Sequence, residues 1–177
     1  MPSKRRSSKN NPNETFPHTL KSYWRYAYAA AFSGSLKKNP FASLKTDADA
    51  KRYVVVRSAH ACLILNPFPY SAGHLMAIPY RVVARLEDLT DEETLELQHL
   101  IVTGKLLLEK VFKTDGFNIG LNQGHIAGGS VPTHLHWHIV PRWQGDHNFM
   151  PVIGRTRILV QSLEGVWKAL CAAYKKA

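Results

Sequence analysis

Seven consecutive residues, His134-Leu135-His136-Trp137-His138-Ile139-Val140, alternate imidazole with apolar side chains over most of their length. Period-two alternation predicts a β-strand with one face turned into a core. On such a strand His134, His136 and His138 share a face, about 7 Å between successive members. Leu135, Trp137 and Ile139 share the other face and are expected to be buried. Three imidazoles in a row are poor core fillers, because each buried ring needs hydrogen-bond partners. The segment therefore predicts a strand and a chemical site at once.

The rest of the pattern gives that strand its neighbours. Residues 52–57, 61–65 and 74–79 carry the β-branched and apolar runs of three strands, the last two separated by a loop over 66–73. Thr90 with Glu93 three residues on makes a capping box, and Asp91, Glu92 and Glu93 crowd the first turn. Leu97, Leu100, Ile101, Leu108 and Val111 then recur at helical spacing, which predicts a long helix to about Lys113. A strand over 117–122, a Gly-rich loop over 123–133 and the histidine strand follow. A short strand is expected over 158–160 and a last helix over 162–174. Residues 33–52 read as a loop. Strands followed by a long helix, more strands and a terminal helix break the βαβ rhythm. The fold class is therefore α+β, with an antiparallel sheet of about five strands, one long helix and a C-terminal helix.

The chain has 177 residues, enough for one domain with a real core. Residues 1–20 read as a disordered basic arm and 21–177 as a single domain, with structure beginning near Tyr23. The net charge is +10, and Lys4, Arg5, Arg6, Lys9 and Lys21 contribute to it. A basic surface favours anionic partners. No apolar run approaches the roughly 20 residues of a membrane helix, and no apolar stretch follows the N-terminal charges as in a secretory signal. A cytoplasmic home is expected, and Cys62 and Cys171 are expected to be free thiols.

Two chemistries suit the histidine cluster. One is metal binding, for which imidazole is a common ligand, but no HExxH or CxxC accompanies it. The other is nucleophilic catalysis, in which an imidazole attacks phosphorus and forms a phosphoramidate. That chemistry needs donors for phosphate oxygens. Gly124, Gly128, Gly129 and Ser130 offer main-chain N–H groups just upstream, and the Ser130 hydroxyl adds one more.

Residues 134–140 match at every position the signature His-φ-His-φ-His-φ-φ, with φ apolar, and the chain thereby resembles the histidine-triad family. The likeness extends over 65–79, over 116–122 and over Val140-Pro141-Arg142-Trp143 with Gly145-Asp146 and Asn148-Phe149. The last stretch is similar to the branch that includes diadenosine tetraphosphate phosphorylases. Coverage runs from about Trp24 to Tyr174.

The resemblance implies a nucleotide-cleaving enzyme working through a nucleotidyl-histidine. His136 is implied as the nucleophile on the α-phosphate, and His138 as a phosphate ligand. His134 is implied as a strut for the strand, and His74 as the fourth histidine that orients the cluster. Asn66 would contact the ribose, and Asn122, Gly129 and Ser130 the phosphates. Leu65 and Phe68 would line the base pocket, and Trp143 is counted with the binding residues. No tightly bound cofactor is implied, although Mg²⁺ can accompany a polyphosphate. The expected partners are a small nucleotide substrate and a second copy of the chain in a homodimer, with no membrane and no nucleic acid. Relatives of this branch carry a Cys-x-x-Cys that helps to hold zinc. Residues 33–40 have no cysteine there, so no structural zinc is expected. The segment Ser130–His134 has one residue more than some branches.

Alternatives remain at this point. An adenosine phosphoramidase of the same family would use the same four histidines. A nucleotide- or nucleic-acid-binding module would instead lean on the basic arm. Hydrolysis and phosphorolysis are not separated.

Overall fold

The computed structural model describes residues 39–129, 131–146 and 161–176. The expected disordered arm, the start near Tyr23, the strand over 158–160 and Ser130 lie outside them. A turn over 40–46 leads to a four-residue helix, α1 (Asp49–Arg52), within the span read as loop. Tyr53 follows in the left-handed region (φ 53°) and turns the chain into β1 (Val54–Arg57). Then come β2 (Ala61–Leu65), β3 (Leu75–Pro79), the long helix α2 (Asp91–Phe112), β4 (Gly116–Gly120), β5 (Trp137–Arg142) and α3 (Leu163–Tyr174).

The five strands form one sheet in the order β1-β2-β3-β5-β4, and every pair is antiparallel. This is the α+β architecture expected from the sequence. β2 and β3 are buried on both faces, since every residue of each is buried. On one face Leu63, Leu65, Leu75, Ala77 and Ile139 pack against Leu97, Ile101 and Leu108 of α2 and Leu170 of α3. On the other face Cys62, Ile64, Met76 and Ile78 pack under Phe41, Leu44 and Val131. That second face carries the candidate site. Among the described residues no helix is long and apolar enough to cross a membrane.

The capping box forms as the sequence predicts. Thr90 Oγ1 accepts from Glu93 N–H (3.2 Å), and the Glu93 carboxylate accepts from Thr90 N–H (3.0 Å). Glu93 also pairs with Arg81 (2.6 Å), whose guanidinium holds the carboxyl below its usual range. Thr90→Ala is expected to lower the stability of the fold by about 1 kcal/mol, read as a shift in the urea midpoint.

Helix α2 lies close on the sheet at Gly104. A Cβ there would stand 3.1 Å from Cδ1 of Ile139 and 3.2 Å from Cδ2 of Leu63. Helix α3 is tied to β1 by the Trp167 indole N–H, which donates to the Val54 carbonyl (2.8 Å) beside a register shift between Val54 and Val56.

Several strand expectations shift. The strand read over 52–57 begins only at Val54, and the one read over 74–79 begins at Leu75. The strand read over 117–122 occupies Gly116–Gly120. The strand read over 134–140 begins only at Trp137. Upstream of it, Leu135 N–H donates to the Val83 carbonyl (2.7 Å) and the His134 ring reaches the Pro79 carbonyl (2.8 Å). These contacts draw the chain out of the ladder with β3 after the Ala77–Trp137 pair.

Candidate active site

The histidine cluster sits where β5 pairs with β3, beside the loop that joins β2 to β3. His138 lies opposite Met76 in the ladder, so both point to the face away from the helices. His74, at the end of the loop, is fully buried, and His134 and His136 are 1% and 4% exposed. Only His138 of the three lies within β5, which begins at Trp137. The His136 and His138 rings meet edge to face at 4.9 Å, and His74 is 5.1 Å from His138.

Hydrogen-bond partners fix where the protons are, because main-chain N–H groups only donate and carbonyls only accept. Tyr70 N–H donates to Nδ1 of His74 (3.1 Å), so His74 carries its proton on Nε2. That Nε2–H donates to Nδ1 of His138 (2.9 Å), which leaves the proton of His138 on Nε2. Nδ1 of His136 donates to the His134 carbonyl (2.9 Å), so the lone pair of His136 is on Nε2. Two adjacent rings thus differ in character: His138 Nε2 is a donor and His136 Nε2 is a base. The Tyr70 ring stacks on His74 at 4.8 Å.

A cavity of about 210 Å³ opens beside these rings. His136 and His138 line it together with Asn66, Phe68, Asn122 and Gly129, all expected from the sequence. Asn66 Oδ1 accepts from Phe68 N–H (2.9 Å), which shapes the loop at the mouth. Gly128 has φ +84°, a conformation that favours glycine. A Cβ on Gly129 would stand 3.2 Å from Cβ of Asn122, so the loop main chain lies directly on that side chain.

Two expected binding residues lie elsewhere. Leu65 faces the helices in the main core, because strand alternation gives the cavity face to Ile64 instead. Trp143 is past the end of β5, where its indole N–H donates to the Phe112 carbonyl at the end of α2 (3.1 Å). Sequence reading missed several wall residues: Phe41, Lys51, Arg52, Ile64, Tyr70 and Met76. Strand parity relative to Met76 and His138 carries the signal for Ile64. Phe41, Lys51 and Arg52 reach the cavity through the turn and α1, which the loop reading did not resolve. Lys51 and Arg52 bring positive charge to a largely apolar wall.

Burial pushes the His136 ring below the usual imidazole range, with the His134 carbonyl acting in the opposite direction. Burial does the same to His134, against the Pro79 carbonyl. Both rings are therefore neutral at pH 7. The folded state resists protons that the unfolded chain accepts. Their stability contribution is therefore complete above the unfolded histidine value of about 6.5 and is lost as pH falls below it toward the lowered folded values. Urea midpoints are expected to fall between pH 7 and pH 5, with a shallower slope in His134→Gln. An equal slope in that variant would contradict this linkage.

Both ring nitrogens of His134 are occupied, by Asn39 and by the Pro79 carbonyl. Among the described residues no group of three His, Cys, Asp or Glu side chains is placed to hold a metal ion. Cys62 and Cys171 are free thiols, and burial pushes Cys62 up to about 12.

A buried histidine relay on an antiparallel sheet, opening on a cavity, is matched by sequence comparison: the chain belongs to the histidine-triad family, whose HIT domain model matches residues 47–145. AP-4-A phosphorylase of Mycobacterium tuberculosis is 40% identical over 144 residues, 81% of this chain and 74% of that protein. The asymmetrical bis(5'-nucleosyl)-tetraphosphatase of Schizosaccharomyces pombe is 39% identical over 93 residues, 52% of this chain and 50% of that protein. A solved histidine triad nucleotide-binding protein from Sulfolobus tokodaii matches with a TM-score of 0.63 at 26% identity, covering 78% of this chain and 93% of that one.

Proposed function

We propose that this chain cleaves the phosphoanhydride of a dinucleoside polyphosphate, with diadenosine tetraphosphate as substrate and inorganic phosphate as acceptor. The observation that carries the reading is the tautomer pair in the cavity: a basic Nε2 on His136 beside a donating Nε2–H on His138. His136 Nε2 attacks the α-phosphorus and forms a P–N bond, and the P–O bond to the distal chain breaks to release ATP. His138 donates to an α-phosphate oxygen as charge builds there. Phosphate then attacks the adenylyl-histidine, and ADP leaves with His136 restored. His74 and His134 orient the reacting rings.

Asn66 is assigned to the ribose, Phe68 with Ile64, Met76 and Phe41 to the base, and Asn122 and Gly129 to phosphate oxygens. Ser130 is assigned beside the leaving group on its place in the sequence. Lys51 and Arg52 supply charge of the sign a polyphosphate requires. The mechanism calls for no resident cofactor or zinc, and Mg²⁺ would arrive with the substrate. Two free cysteines suit a reducing cytoplasm. The resemblance to the mycobacterial phosphorylase over most of both chains supports phosphate as acceptor. The shorter match to the tetraphosphatase supports water as the second reading.

A product assay with and without phosphate tests the reading. ADP plus ATP, formed only with phosphate, is expected. AMP plus ATP in either condition would establish the hydrolase instead, and no turnover would contradict both.

A homodimer is part of the proposal. β4 is an edge strand whose last three residues are exposed, Ile119 among them, and Leu95, Val102 and Leu106 stand exposed along α2. Light scattering is expected to give twice the chain mass, and Ile119→Lys to reduce it. A monomeric mass for the unmodified chain would contradict the assembly.

A further inference from the structure

Asn39 stands ahead of every strand, yet it touches the centre of the site. Its Nδ2 lies 2.9 Å from Nδ1 of His134. Its Oδ1 accepts from Phe41 N–H (2.9 Å), and that contact settles which end of the amide faces His134. On the far side of the ring, His134 Nε2 lies 2.8 Å from the Pro79 carbonyl. A carbonyl only accepts, so the His134 proton is on Nε2, and Nδ1 is left to accept from Asn39. Both polar atoms of a buried ring are thereby committed. The main-chain carbonyl of the same residue receives Nδ1–H of His136. The Phe41 ring closes the arrangement, 5.5 Å edge-on from His134 and 5.2 Å from His136.

We infer that Asn39 is a positioning residue for the nucleophile: it locks the His134 ring, and through the His134 carbonyl it holds His136 in the tautomer whose Nε2 is basic. The inference rests on the reading of His136 as the nucleophile and deepens it. The choice of an amide follows from the chemistry. A carboxylate at position 39 would accept rather than donate, which would require a second proton on His134 and place a cation beside the nucleophile. An alanine would leave Nδ1 of a buried ring without its donor, and only the Pro79 carbonyl would then hold the ring by a hydrogen bond.

The test is imidazole ¹⁵N–¹H spectroscopy of the full chain, paired with kinetics on Asn39→Ala and Asn39→Asp. The unmodified protein is expected to show His134 protonated on Nε2 and His136 on Nδ1. In Asn39→Ala, the Pro79 carbonyl still keeps the His134 proton on Nε2, and the His134 Nδ1 resonance shifts as its donor is lost. With diadenosine tetraphosphate kcat falls about 10- to 100-fold, while KM stays within about threefold. In Asn39→Asp, His134 is doubly protonated at pH 7 and kcat falls as well. A proton on Nδ1 of His134 in the unmodified protein overturns the inference, and that reading needs no variant to fold. So does an Asn39→Ala kcat within about twofold of the original. The spectra need no substrate. The stated tautomers in a protein that cleaves no dinucleotide would overturn the nucleotide reading and support the lock.

Discussion

His136→Ala is expected to lower kcat by about 10⁴-fold or more, the scale of losing a covalent nucleophile, while the protein stays folded. The basis is the division of labour in the cavity. His138 has its Nδ1 committed to His74, and His134 has both nitrogens committed to Asn39 and Pro79. Neither can take over the attack without breaking a buried contact. His136 spends only Nδ1, on the His134 carbonyl, and keeps Nε2 basic. Burial pushes the ring below the usual imidazole range, so the base is present at neutral pH. Structurally the loss is small, because His136 lines a cavity and not the main core. Steady-state release of ATP, beside a thermal melt of the variant, checks both halves. A folded variant that keeps a tenth of the activity would rule out His136 as the nucleophile.

Leu108→Ala is expected to lower stability by about 3 kcal/mol, within the usual cost of emptying a core leucine site. For a chain of this length that corresponds to a fall in Tm of roughly 6–12 °C. Leu108 is fully buried on the face of α2 that meets the sheet. It also supports the site. Gly73, immediately before His74, has φ +77°, and a Cβ built there would stand 2.8 Å from Cδ2 of Leu108. The loop that positions His74 therefore rests on this leucine. Calorimetry is expected to show the lowered Tm, and kcat is expected to fall modestly at temperatures where the variant is still folded. A stability loss under about 1 kcal/mol would mean that the site collapses around the smaller side chain.

Elements with strong local signals were legible in the sequence. The capping box at Thr90 and Glu93 placed the start of α2 because it is a contact between residues three apart. The three-histidine alternation placed the site, since buried imidazoles demand partners. Features set by distant contacts were not legible. His134 and His136 read as strand residues, but Val83 and Pro79, far away in sequence, take the hydrogen bonds of this stretch. Leu65 and Ile64 are chemically alike, and only the pairing with Met76 decides which faces the cavity. Trp143 sits in a motif similar to a family branch, yet its indole is used to close the end of α2. Asn39 carried no signal at all, because its partner lies 95 residues away.

The covalent intermediate is the central claim, and trapping it is the most direct measurement. The protein would be mixed with diadenosine tetraphosphate without phosphate, quenched in base to preserve a phosphoramidate, and read by intact mass and peptide mapping. One added adenylyl group is expected, located on His136, absent from His136→Ala and discharged as ADP when phosphate is added. Turnover with no adduct, or an adduct on a residue other than His136, would contradict the claim.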